Sequence, residues 1–129
     1  DEAIAQGIRM QSQFIFSAPC CHHHLQQQLD QQPLPLEFRS VLRHGILKEH
    51  LGDILTDAFR ASILRMMGYK TDVVQFVSAE HTPKNLMIRA VKSVSPVNPK
   101  FGQEYRDLKN FWKVTPYLEH LLGDVMRET

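Results

Sequence analysis

Residues 17–24, "SAPCCHHH", gather both cysteines and three of the seven histidines of the chain. Thiolates and imidazoles can ligate zinc, run thiol redox chemistry or move a proton near neutral pH. Spacing separates these roles. Zinc takes about four ligands in tetrahedral geometry, usually as two closely spaced pairs. Cys21 and His24 have C-x-x-H spacing, but His44, His50, His81 and His120 are scattered singly, so no second pair matches. Consecutive histidines on a helix point in different directions, so at most two could converge. A redox pair is normally C-x-x-C, and adjacent cysteines are not. No metal site is therefore assigned, although a small metal-binding domain on Cys20, Cys21 and the histidines stays open as an alternative.

Position is the stronger argument. Residues 14–18, "FIFSA", form a continuous apolar run of the kind expected for a strand buried on both faces. Pro19 ends it, because proline removes a ladder donor. Ligands of open α/β sheets bind outside the carboxyl ends of the strands. Pro19, Cys20, Cys21 and His22 fall at that end. A tight turn feeding a helix would account for Pro19 but not for the concentration of Cys and His. A second polar segment, "EHTPKN" at residues 80–85, joins two β-rich runs and reads first as a hairpin loop. Arg89 lies inside the second run, where a charge needs an edge or a partner. Glu80, Asp72 and Glu2 are the candidate partners.

The elements that must hold these residues follow from periodicity. Residues 1–10 predict a helix with Asp1 as N-cap and Ile4 and Ile8 on one face. Residues 22–29 predict a short helix, and 36–43 another. The longest helix is predicted over residues 47–67, from a stripe of Leu47, Leu51, Ile54, Leu55, Ala58, Phe59, Ser62, Ile63 and Met66. Gly68 suits the position after it. Strands are predicted at 71–77 and 86–91. Residues 94–102 read as a linker, and 105–112 as a helix. A last helix begins at Pro116 with Thr115 as N-cap, and its apolar face is Tyr117, Leu118, Leu121, Leu122 and Val125. The order helix, strand, helices, strand, strand, helices implies an α/β sheet that ends in an antiparallel hairpin.

Composition excludes several classes. Among 129 residues, the hydrophobic ones make up 43% and the charged ones 22%, with a net charge of +1, which is ordinary globular usage. There is no basic block to argue for nucleic acid, no spanning apolar stretch and no signal peptide. Two adjacent cysteines give no disulfide framework, which suggests a reducing, cytoplasmic setting. No Gly-rich phosphate loop, G-x-S-x-G or paired-carboxylate pattern occurs. Phe111, Trp112 and Tyr117 could stack on bases, but helical spacing assigns them to a core.

The segment "DEAIAQGI", the apolar strand into "PCCHHHLQQQL", and "LRHGILKEHLGDILTDAFRASILRMMGYKTDVVQFVSAEHTPKNLMIRAVK" resemble the C-terminal half of class I S-adenosylmethionine-dependent methyltransferases. The likeness covers residues 1–93. It is nearest to methyltransferase-like proteins with a "PCCH" segment and an "HTPKN…IRA" ending, a group related to the domain of the glutathione S-transferase C-terminal domain-containing protein. A tRNA 2′-O-methyltransferase family has a comparable "CCHH" loop.

The resemblance implies a partial Rossmann-like methyltransferase sheet flanked by helices. Residues 14–18, 71–77 and 86–91 would be its fifth, sixth and seventh strands, with the seventh antiparallel between the other two. The first four strands, which in the family hold the cofactor, are absent. Residues 1–93 would then be the back half of the domain, 94–102 a linker and 103–129 a helical extension. The resemblance places Pro19, Cys20, Cys21 and His22 on the substrate side, with His22 as candidate base. Asp1 would stand near S-adenosylmethionine, and His81, Lys84 and Asn85 at the second loop. The methyl acceptor is left open, RNA or a small molecule included. Alone, such a chain is expected to bind the cofactor weakly and to be inactive. The open edge of its first strand is expected to be covered by the C-terminal helices or by self-association. A non-catalytic interaction or assembly module is the other alternative.

Overall fold

An antiparallel three-stranded sheet organises the computed structural model, in which residues 1–18, 23–75 and 86–126 are described. The strands are β1 (Phe14–Ser17), β2 (Tyr69–Gln75) and β3 (Leu86–Lys92), in the order β1-β3-β2. β3 is antiparallel to both neighbours, pairing Ile15 with Ala90 on one side and Thr71 with Ala90 on the other. β1 and β2 therefore run parallel to each other, with the last strand inserted between them. This is an α/β fold, with helices α1 (Glu2–Arg9), α2 (His23–Asp30), α3 (Arg39–Leu42), α4 (Gly45–Met66), α5 (Pro99–Trp112) and α6 (Tyr117–Met126) among the described residues.

The pleat sorts the sheet residues by face. Ile15, Ile88, Ala90, Tyr69 and Thr71 are buried against the helices. On the other face Phe14 and Phe16 are 62% and 58% exposed, with their rings stacked 6.3 Å apart. The expectation of a strand buried on both faces is thus corrected. The helices of the described residues lie against one face, and a continuous apolar run does not by itself tell one covered face from two.

The long helix α4 is the other half of the core. Leu55, Phe59, Ile63 and Leu64 are buried in it, whereas Leu47 and Ile54 are exposed. The predicted stripe therefore holds for Leu51, Leu55, Phe59, Ile63 and Met66 but not for Leu47 and Ile54, which fall outside the packed face. Gln26 of α2 donates to the carbonyls of Glu49 and Lys48, at 2.7 and 3.4 Å. Gly52 permits this approach: a β-carbon there would fall 1.9 Å from Gln26 Nε2. After α4, Gly68 takes φ +94, the left-handed turn that lets the chain reverse into β2.

α5 starts at Pro99, inside the segment read as a linker. Asn98 caps it by accepting from the Lys100 amide at 3.0 Å, and Pro99 occupies the first turn. The Asn-Pro pair carries that signal in the sequence. α5 packs on α4 and α6 on α1. Tyr105, Trp112, Leu118 and Leu122 join the same core as Ile4, Phe59 and Ile88. The C-terminal helices thus pack on other helices, and β1 remains an edge strand among the described residues. At residues 36–43 a single predicted helix resolves into a 3-10 turn, Leu36–Phe38, followed by α3.

Two polar clamps hold the terminal helices. Arg9 forks onto Asp124 at 2.7 and 3.0 Å and also donates to the Leu121 carbonyl. That guanidinium holds the Asp124 carboxyl down at about 2. Between α5 and α6, Glu119 accepts from Tyr105 and from Lys109, both at 2.6 Å. Burial alone would raise the Glu119 pKa, but the hydrogen bonds from Lys109 and Tyr105 and the charges of Lys109 and His120 bring it below its usual 4.5. A depressed carboxylate stabilises the fold above its unfolded pKa, and the effect is lost as pH falls through the folded value. Denaturant midpoints between pH 3 and 7 should therefore fall below about pH 4.5, and Glu119→Gln should flatten that limb. An unchanged acid limb in the variant would show that Glu119 does not drive it.

Candidate functional site

The carboxyl end of β1 is where sequence position and the resemblance both place a site. Pro19, Cys20, Cys21 and His22 lie outside the described residues, as do His81, Lys84 and Asn85. What the structure describes is the ground between the end of β1 and the start of α2. Ser17 ends β1 and His23 begins α2. Asp1, His24, Leu25, Thr56, Arg60, Pro116, Tyr117 and Leu118 line a cleft beside that junction.

Arg60 is the centre of this floor. It projects from the middle of α4 and is 4% exposed. Its Nε donates to Asp1 Oδ1 at 2.5 Å, and its Nη1 to Asp57 Oδ1 at 2.9 Å. Asp57 is one turn before Arg60 on the same helix, the i, i+3 spacing at which side chains meet. Asp1 sits at the N-cap position of α1, but its carboxylate makes no capping bond. Asp1 is thus the N-cap residue, as expected, but its carboxylate turns to Arg60, because a buried guanidinium needs acceptors. Thr56 donates to the Gly52 carbonyl at 2.6 Å, so no buried side-chain polar atom of the described residues lacks a partner.

His24 closes the outer side. Its ring lies 5.4 Å from that of Tyr117 and 5.7 Å from that of His120. Gln28, one turn along α2, contacts His24 Nδ1 at 3.2 Å. The same Gln28 amide pairs with both backbone groups of Thr115, donating at 2.6 Å and accepting at 2.8 Å. These two hydrogen bonds fix the start of α6 to α2 and so set Tyr117 and His120 against His24.

The arrangement is a satisfied polar floor rather than an open reaction centre. Its enclosed space is about 20 Å³, room for about one water. Among the described residues no group of three or more His, Cys, Asp or Glu could hold a metal ion. No helix among them is long and apolar enough to cross a membrane. Arg89 pairs with Asp72, one of its three candidate partners, across the β2–β3 ladder at 3.3 Å, while Glu80 lies outside the described residues. Arg60 was not singled out by spacing, and His24 entered only as the second member of a C-x-x-H pair with Cys21. The signal for Arg60 was present as an arginine on a buried helical stripe with an aspartate three residues before it. The placement of His24 against Tyr117 and His120 has no such signal, because those two rings come from the far end of the chain.

Comparison of the chain with models of protein families, with curated proteins and with solved structures finds no match. Function therefore rests on the chemistry of the residues.

Removing one partner of a buried ion pair leaves uncompensated charge and costs about 3–5 kcal/mol. Arg60→Ala should lower unfolding free energy by about that amount in urea titration, and Arg60→Met by less, since it refills the volume. A loss below about 1 kcal/mol for both would mean that the network behaves like an exposed ion pair.

Proposed function

We propose that the chain is the C-terminal part of an S-adenosylmethionine-dependent methyltransferase domain and supplies the substrate side of its pocket. The observation that carries this reading is the sheet. Two parallel strands, β1 and β2, are separated in sequence by the long helix α4 and in space by the reversed strand β3. The order β1-β3-β2 is the fifth-seventh-sixth order that the resemblance implies. The open face carrying Phe14 and Phe16 supports the same reading, since strands of doubly wound sheets are covered on both faces in the whole domain.

In the parent reaction a nucleophile of the acceptor attacks the methyl carbon. The carbon–sulfur bond breaks, its electron pair goes to sulfur, and S-adenosylhomocysteine leaves. The acceptor proton goes to a base, and His22 as a neutral imidazole fills that role. Pro19, Cys20 and Cys21 would line the acceptor side. Asp1, held by Arg60, would set the start of α1 at the same end of the sheet. Catalysis is then chiefly positioning with removal of one proton.

His22→Ala in the intact domain should lower transfer of a labelled methyl group by about 10²–10⁴ with cofactor affinity unchanged. This chain alone should show no saturable S-adenosylmethionine binding by calorimetry, and micromolar binding would refute its cofactor incompetence. The sequence encoded ahead of Asp1 tests the family directly: no strand and Gly-rich turn roughly 60–80 residues upstream would sink the assignment.

The exposed Phe14 and Phe16 on the edge strand favour a second reading, an assembly module that pairs β1 with the β1 of another copy. Centrifugation should then show a dimer that Phe16→Glu dissociates, whereas a monomer at all concentrations would exclude it.

A further inference from the structure

The opposite end of the sheet holds a different cleft. β2 begins there at Tyr69 and β3 ends there at Lys92, so it is remote from the carboxyl end of β1. The cleft has a volume of about 440 Å³, within the range of small-ligand sites. Arg65, Lys70 and Lys100 line it from three different elements, α4, β2 and α5. Asp72 is the one carboxylate among its lining residues, and it is already paired with Arg89. The Lys70 ammonium makes no ion pair or hydrogen bond among the described residues, and that of Lys100 meets the Phe101 ring at 5.5 Å.

The other polar groups add donors. Ser93 and Ser95 bring hydroxyls, and Ser93 Oγ accepts from the Ser95 amide at 3.1 Å, which leaves its own O–H to donate. Arg65 Nη2 is tied to the Thr71 carbonyl at 3.0 Å, and its guanidinium carbon stands 6.0 Å from the centre of the Phe101 ring. It is thereby held in place with other N–H groups still to donate. The α5 N-terminus faces the cleft. Asn98 occupies its Lys100 amide, so the helix contributes its dipole rather than a free donor.

We propose that this cleft binds a phosphate group, carried by a free nucleotide or by an RNA strand. Three cations with no carboxylate partner among the described residues and two hydroxyls, around a cleft of this size, fit a compact polyanion with several acceptor oxygens. A carboxylate would satisfy fewer of them. Phe101 also lines the cleft, its ring in contact with Arg65 and Lys100, so it braces two of the cations beside one another. The site does not depend on the methyltransferase reading, because it lies at the other end of the sheet and uses none of the same residues.

The test is amide-resolved NMR titration of this chain with inorganic phosphate, adenosine monophosphate and a short single-stranded oligoribonucleotide. The expected result is saturable shifts at Lys70, Ser93, Ser95, Lys100 and Phe101. Tighter binding of the mononucleotide than of phosphate identifies a nucleotide source. Tighter binding of the oligonucleotide, with affinity falling as salt rises, identifies a strand. The double variant Lys70→Glu, Lys100→Glu should weaken binding by at least about tenfold. Both side chains are exposed, so its thermal midpoint should match wild type. No saturable shift in this cleft with any of the three probes, or equal affinity in the double variant, would overturn the proposal.

Discussion

Both edges of β3 are paired, with β1 on one side and β2 on the other. A slip of one residue would therefore turn Ile88 and Ala90 out of the core and Arg89 into it. Ile88 and Ala90 are each 0% exposed, so the slip would cost several buried contacts and bury an unmatched charge. That register in turn fixes the elements around it. It sets Ile15 toward α1, Tyr69 toward the turn after α1, where its hydroxyl donates to the Ser12 carbonyl at 2.7 Å, and Thr71 beneath Arg65. The helical layer is aligned through these contacts.

Arg60 imposes a second constraint of a different kind. Apolar packing tolerates small rotations of α1 against α4, but a guanidinium shared by two carboxylates does not. A buried charge is costly unless each donor finds an acceptor, and a hydrophobic replacement of similar volume can be as stable. What the network adds is a unique placement of Asp1, and hence of the start of α1, at the carboxyl end of β1. The Gln28–Thr115 pair does the same for α6. Two polar contacts from distant segments thus converge on one small cleft, while the apolar core supplies the cohesion.

Where local rules suffice, the sequence could be read. Gly68 after a long amphipathic stretch, Ile4 and Ile8 on α1, and the face of α6 are cases in which periodicity and turn chemistry decide the outcome. Three features could not be read in this way. Phe14 and Phe16 look like core residues, since an apolar run carries no information about how many layers cover it. α5 begins at Pro99 because Asn98 caps it, and the serines and prolines before it masked that short-range signal. Arg60 and His24 acquire their partners through contacts between residues far apart in the chain, which no window of sequence contains. The Cys-Cys-His segment lies outside the described residues, so the position and chemistry expected of it stay expectations.

The two ends of the sheet treat charge in opposite ways. At the carboxyl end of β1, Arg60 is buried and matched by Asp1 and Asp57, so its field is spent within the fold. At the other end, Lys70 and Lys100 stand exposed and Arg65 half-buried, and Asp72, which could have neutralised them, is held by Arg89 across the ladder. Surface lysines alone would be screened within about a Debye length. Here three elements bring cations to one concave space, where low-dielectric walls focus their field. A net charge of +1 for the whole chain hides this separation. Any anionic partner would be drawn by the local arrangement of cations, and it would arrive at the end of the sheet away from Ser17 and the carboxyl end of β1.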